Sequence, residues 1–316
     1  MLSRRLLRVK VMQAVNVFHK NEDMTIQQAE KNLFYSIYKS FELYHLLLLL
    51  LVDIQAYAAN KIDFGKSKIL PTPEDLNPNT RFIDNKLLIK LSQNNTLLKF
   101  IEQKGLSWAK YPEIIKAIYL EICQSDLYKE YMNLESTDFE IDRNFIVKLT
   151  DRVIAQYEPL YSNLEEQSIF WNDESEYIMS MVIKTLKDYK ISDENNIELM
   201  SEFRDEDDKE FITKLLRKSI IFHKETSELI KKYLKNWELE RISFMDIVLI
   251  EIALAEMTEF SAISLKVTLN EYIEISKYYS TPKSGFFING VLEKIISEYK
   301  KDGKIKKIND KLLELN

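Results

Sequence analysis

The chain has 316 residues, a formal net charge of -6, 46% hydrophobic and 30% charged residues. That is the balance of a folded protein long enough for one large or two ordinary domains. Only five glycines are present, which argues against a P-loop, a dinucleotide-binding fold or a β-rich fold, because each needs glycine where the backbone turns left-handed or approaches a ligand.

Abundant Leu, Ile, Lys and Glu with few turn residues predict an all-α protein. Residues 2–20 read as one helix. Leu7, Val11, Ala14, Val15 and Phe18 form its apolar face, with Arg4, Arg5, Arg8 and Lys10 mostly off it. These cations and Lys20 meet no acid in the first 20 residues, so the overall negative sign hides a basic terminus. Thr25 caps a second, long helix through Ala59, supported by Gln28 three residues on. Its leucine run, Leu46 to Leu51, lies between His45 and Asp53. That is far short of the ~20 residues of a bilayer crossing, so no membrane partner is expected. The basic start lacks the apolar core and cleavage site of a signal peptide, and the expected location is the cytoplasm.

Gly65, Pro71, Pro73 and Pro78 mark residues 61–80 as a change of character, with Pro71–Pro78 the clearest linker. Further helices are predicted over 82–103, 112–132, 140–158 and 173–190, and Pro159 should break the helix around it. Trp108 and Trp171 read as core anchors. Cys123, the single cysteine, cannot form an internal disulfide; it suits a reducing compartment and reads as a small core residue. Residues 193–210 hold nine acids against Arg204 and Lys209. Asp207–Phe211 opens a helix whose acids suit its positive end. Lys300–Lys311 reads as a solvated tail.

Nothing in the chain announces chemistry. His19, His45 and His223 show no mutual spacing and read as ordinary histidines. Asn270–Glu271 reads as a polar pair hydrogen-bonded to neighbouring backbone. A lone glutamate without His, Cys or a second carboxylate at ligand spacing makes no metal site. No cofactor, no metal and no enzymatic activity are expected.

Three C-terminal runs carry more information. They are Asp246–Glu256, with Ile247, Leu249, Ile250, Ala253 and Leu254; Lys266-Val-Thr-Leu-Asn-Glu271, continuing to Tyr279; and Ser284-Gly-Phe-Phe-Ile-Asn-Gly-Val-Leu-Glu-Lys294. In order, spacing and residue type they resemble the C-terminal half of the NusB family of transcription antitermination factors. Phe211–Leu234 resembles that family's helix pair, and Trp237–Arg241 the turn before its central buried helix. Glu251 stands where the family usually has a basic residue, and Ser264 where it often has proline. Gly290 is expected to permit close helix packing, and Asn289, a polar residue inside an apolar run, to be hydrogen-bonded structurally. At the other end, Arg4-Arg5-x-x-Arg8-x-Lys10-x-x-Gln13-Ala14 looks like the family's basic RNA-binding helix.

The resemblance implies an all-α bundle of two subdomains with an added helical insertion. Residues 1–60 would hold the basic helix and the first family helices, 61–204 the insertion, 205–300 the C-terminal subdomain and 301–316 the lysine-rich tail. It also implies binding without catalysis. The chain would recognise boxA RNA jointly with the ribosomal protein NusE, within an RNA polymerase elongation complex on ribosomal RNA operons. Arg4, Arg5, Arg8, Lys10, Gln13 and Asn16 would contact RNA, with Asn16 standing where many members have an aromatic. Lys283 and Phe287 fall near the second RNA-contacting region. Some members dimerise, which makes a homodimer an open partner state. Two rivals were weighed. An RNA cytosine methyltransferase needs a glycine-rich cofactor loop and a catalytic cysteine, which the chain lacks. A scaffold that binds proteins of the transcription or ribosome-assembly machinery without RNA is favoured by the acidic stretch 193–210.

Overall fold

The computed structural model describes residues 2–190, 199–233 and 242–305, and they contain α-helices and no strand. The all-α expectation therefore stands. The described chain divides into two compact units. One spans Tyr38–Ser201. The other combines Leu2–Ile37 with the chain from Glu202 onward.

The composite unit holds α1 (Arg4–Lys20), the start of α2 (Ile26–Lys66), α11 (Glu206–Tyr233), α12 (Phe244–Glu259), α13 (Leu265–Tyr279) and α14 (Ser284–Lys301). Thr25 caps α2 as its sequence predicts: the Thr25 N–H donates to Gln28 Oε1 (2.8 Å), and Gln28 N–H returns to Thr25 Oγ1 (3.2 Å). Helix α12 is the hub and packs on α1, α11, α13 and α14. Val248, Leu249, Ile250, Ile252, Ala253, Leu254, Ala255 and Met257 are all buried. A helix apolar on every side can only be stable inside a bundle. Burial of each large aliphatic side chain contributes about 1.5–3 kcal/mol.

Two expectations fail here. Phe211–Leu234 is not a helix pair as far as it is described, because α11 runs unbroken from Glu206 to Tyr233; no Pro or Gly interrupts it. Gly290 supports no close packing, since a Cβ there would meet nothing within 4 Å. The hydrogen bond expected of Asn289 is present: half-buried, its side-chain amide donates to Glu293 one turn on (2.9 Å). Trp237–Arg241 and residues 306–316 lie outside the described residues.

The second unit is built on the rest of α2. It adds α3 (Pro73–Leu76), α4 (Lys86–Ser92), α5 (Asn95–Lys104), α6 (Pro112–Gln124), α7 (Asp126–Met132), α8 (Phe139–Leu149), α9 (Glu158–Gln167) and α10 (Ser175–Asp188). Two of the predicted long helices break where a side chain captures backbone donors. Asn94 caps Leu97 N–H (2.9 Å) and divides 82–103; Ser125 caps Tyr128 N–H (3.2 Å) and divides 112–132. After α8 a π-helical turn, Thr150–Ile154, ends the 140–158 segment, and Pro159 sits in the first turn of α9. Trp108 and Trp171 are the anchors expected of them: their indole N–H groups donate to Leu46 O (2.9 Å) and Lys39 O (2.8 Å) of α2.

By length and composition alone α2 would pass for a membrane span, but 67% of its most apolar window is buried within the folded protein. Pro71–Pro78 is no linker between units; it lies inside the second one. The composition change at residue 61 marks where α2 ends, at Lys66. The division between units falls earlier, at Tyr38, because α2 changes packing partners without changing its helical pattern.

His45 is buried in this unit where its charged form is disfavoured. Its ring stacks on Phe100 with centroids 3.8 Å apart, and Nδ1 donates to Phe41 O (2.9 Å). Burial lowers its pKa to about 4. Between that value and the ordinary 6.5, the unfolded chain binds a proton that the folded chain refuses. Stability is therefore lost as pH falls from 6.5 toward 4. His45→Phe keeps the stack and removes the proton. Denaturant titrations read by tryptophan fluorescence at pH 7 and pH 5 should show the unsubstituted chain losing about 2 kcal/mol more than H45F. An equal loss in both would mean His45 is charged when folded.

Candidate nucleic-acid interface

Ser3 opens α1 by accepting Leu6 N–H (3.3 Å). Successive arginines on the following turns face different surroundings. Arg4 donates to Asp208 of α11 (2.9 Å) and lies over the Phe211 ring (4.9 Å). Arg5 forks onto Glu271 of α13 through Nε and a terminal nitrogen (2.9 and 2.7 Å), with 53% of its side chain still exposed. Arg8 is buried and forks onto Glu256 of α12 (2.7 and 2.9 Å).

Glu256 is itself wholly buried and also accepts from Thr268 Oγ1 (2.8 Å) and Tyr272 OH (3.0 Å). Burial opposes the Arg8 charge, but the bond to Glu256 outweighs it and holds the guanidinium above its ordinary range. Arg5, bonded to Glu271, likewise holds that carboxyl below its usual range. So Glu271 is not bonded to neighbouring backbone as its sequence suggests; it is a counter-ion for α1.

This changes the reading of the basic helix. Arg8 and Lys10 are both buried, and neither can reach a phosphate in this conformation. Each assignment rested on the resemblance of the basic run to the family's, which does not show which face of α1 the bundle covers. Gln13 and Asn16 are half-buried. Arg5 is the exposed member, and Arg4 is partly so.

The C-terminal half of the expected site lies at the α13–α14 turn. Thr281, Lys283, Phe286 and Phe287 line a groove of about 510 Å³ with Ile242 and Ser243. Its floor is ordered by Asp246 of α12, which accepts from Ser280 Oγ (2.6 Å) and Ser284 Oγ (2.9 Å). Lys283 is exposed and Phe287 half-buried. The ring presented to solvent is its neighbour Phe286, 89% exposed, which the sequence reading passed over. An exposed ring beside a lysine can stack an unpaired base while the ammonium neutralises a phosphate.

A third grouping was invisible in the sequence. His19 of α1, His223 of α11 and Glu251 of α12 meet inside the composite unit. Burial raises the Glu251 carboxyl to about 8 and lowers His19. The three histidines are thus not all isolated. The available signal was Glu251 itself, an acid inside an apolar run that had to find partners.

A profile of the NusB family matches residues 172–297. The transcription antitermination protein NusB of Salinibacter ruber is 35% identical over 108 residues, covering 34% of this chain and 68% of the relative. The chain belongs to the NusB family. The NusB proteins of Chloroherpeton thalassium (39% identical, 34% of this chain and 51% of the relative) and Dictyoglomus turgidum (38%, 30% and 67%) agree. The chain thus spans between half and two thirds of these relatives, through about a third of its own length. The profile begins just before α10 and omits α1. No solved structure matches the chain.

Removing one partner of a buried ion pair costs about 3–5 kcal/mol, whereas an exposed pair contributes about 0–1 kcal/mol. Arg8→Ala should therefore lower unfolding stability by about 3–5 kcal/mol and Arg5→Ala by under about 1 kcal/mol. Arg8→Met combined with Glu256→Met should recover most of the loss. Denaturant titrations of the four proteins check this, and similar losses for Arg5→Ala and Arg8→Ala would contradict the burial argument.

Proposed function

We propose that this NusB-family chain is an RNA-binding transcription antitermination factor that acts by recognition rather than catalysis. Its RNA target is a boxA-type single strand, bound jointly with the ribosomal protein NusE inside an RNA polymerase elongation complex in the cytoplasm. The observation that carries this reading is the family match across α11–α14, the same helices that hold α1 in place and form the groove with Lys283 and Phe286. Arg5 and Arg4 supply phosphate contacts from α1, Lys283 supplies another, and Phe286 with Phe287 offers a stacking surface. The unit Tyr38–Ser201 holds most of the insertion.

The matching of Arg4, Arg5 and Arg8 by Asp208, Glu271 and Glu256 favours a second reading, a scaffold that binds proteins and not RNA. In it the exposed acids Asp205, Glu206, Asp207 and Glu210 dock a basic ribosomal protein, and a second copy of this chain is a further candidate partner.

Binding of the purified chain to boxA-type RNA and a scrambled control, with and without NusE, separates the two. The RNA reading expects a boxA preference that strengthens with NusE. It also expects a log–log salt slope of about -2 for three phosphate contacts at ~0.7 each. Phe286→Ala should weaken RNA binding about tenfold, since stacking contributes about 1–3 kcal/mol per base. Arg5→Glu with Lys283→Glu should weaken it further and flatten the salt slope. Firm NusE binding with no RNA preference would select the scaffold.

A further inference from the structure

The meeting of His19, His223 and Glu251 has no role in the RNA reading and stands independently of it. Three helices of one unit each contribute one side chain. His19 Nε2 lies 2.9 and 3.2 Å from the two Glu251 oxygens, and His223 Nδ1 lies 2.8 Å from Oε2. The imidazoles lie face to face with centroids 3.9 Å apart and planes tilted by 34°. The three donor atoms all fall within 4.8 Å of one another. The chain has only three histidines, and two of them converge on one carboxylate.

That carboxylate is the unusual part. Glu251 has no exposed side-chain surface, yet no Arg or Lys pairs with it among the described residues. Glu256, also buried, receives a full guanidinium instead. An isolated carboxylate in such a place is strongly unfavourable, and buried charges are normally paired or coordinated to metal. Two imidazoles and one carboxylate oxygen make the donor set that suits Zn2+ and its first-row neighbours, and not Mg2+ or Ca2+. Bond lengths of about 2.0–2.1 Å set tetrahedral ligand atoms about 3.4 Å apart. The present contacts would need to open by about half an ångström. His223, with 39% of its side chain exposed, lies at the outer edge where such a shift is least resisted and where an ion can enter.

We propose that His19, His223 and Glu251 form a three-ligand site for a divalent transition metal ion, with Zn2+ as the best-fitting ion and a fourth position beside His223 open to solvent. The ion would tie the end of α1 to α11 and α12, fixing the helix that carries Arg4 and Arg5. Its charge would balance the buried Glu251 carboxylate. Because ligation needs a carboxylate and neutral imidazoles, binding would release any proton the cluster holds.

The test is calorimetric titration of the chelator-stripped full chain with Zn2+, with Mg2+ as control and thermal unfolding as a second readout. One Zn2+ should bind per chain and raise the unfolding temperature, while Mg2+ does neither. His223→Ala, at the partly exposed position, and the near-isosteric Glu251→Gln should each weaken Zn2+ binding at least tenfold while keeping the helical circular dichroism of the unsubstituted chain. His45→Phe should leave it unchanged. Co2+ should give a visible d–d absorption that both ligand variants lose. Absence of Zn2+ binding, or binding that His223→Ala and Glu251→Gln leave intact, would overturn the proposal and leave a hydrogen-bonded His–Glu–His cluster. Where either variant fails to fold, the Co2+ spectrum of the unsubstituted chain decides, since nitrogen–oxygen ligation of low symmetry gives stronger bands than the hydrated ion.

Discussion

Glu256 is a carboxylate without access to water, and Arg8, 248 residues earlier, is the cation that makes its burial tolerable. The composite unit depends on that pair. Two parallel hydrogen bonds fix the rotation of α1 against α12, and Thr268 and Tyr272 fix α13 to the same oxygens. An apolar seam alone would let α1 slide or rotate at small cost, because aliphatic contacts are non-directional. A buried fork permits one register, since any other leaves a charge unpaired in a medium of low dielectric.

Helix α12 repeats this logic along its length with different chemistry. Asp246 near its start accepts from Ser280 and Ser284 and so orders the turn into α14. Glu251 in its middle meets two imidazoles, and Glu256 near its end meets a guanidinium and two hydroxyls. Each acid interrupts an otherwise apolar helix, and each recruits a different neighbour: α13–α14, then α1 with α11, then α1 with α13. The acids select which helices surround α12 and in what order, while the aliphatic residues supply most of the stabilisation.

The helical class, the cap at Thr25, the tryptophan anchors and the family were legible because they rest on local signals: period, capping pairs, bulk and contiguous motifs. Helix breaks at Asn94 and Ser125 were less so, since the same residues sit harmlessly inside other helices until a side chain captures backbone donors. The site was legible in part. Lys283 and Phe287 were marked by a contiguous motif, whereas Phe286, the ring that faces water, was not. Arg8 was misjudged because an arginine row looks alike whether it faces solvent or a buried acid, and its partner lies at the far end of the chain. His19 and His223 were unreadable for the same reason: their proximity follows from α1 and α11 both packing on α12, a tertiary fact with no trace in spacing.

The pairing of α1 with acids constrains how RNA could use it. Arg8 belongs to the fold and is not available for exchange. Arg5 differs: its ion pair with Glu271 is half in water, where such pairs contribute little. A phosphate can therefore displace Glu271 at small cost, trading one partly solvated anion for another. The displaced carboxylate then remains beside the bound strand and repels it. Affinity from α1 alone is self-limiting for that reason, and more so because the whole chain is net negative.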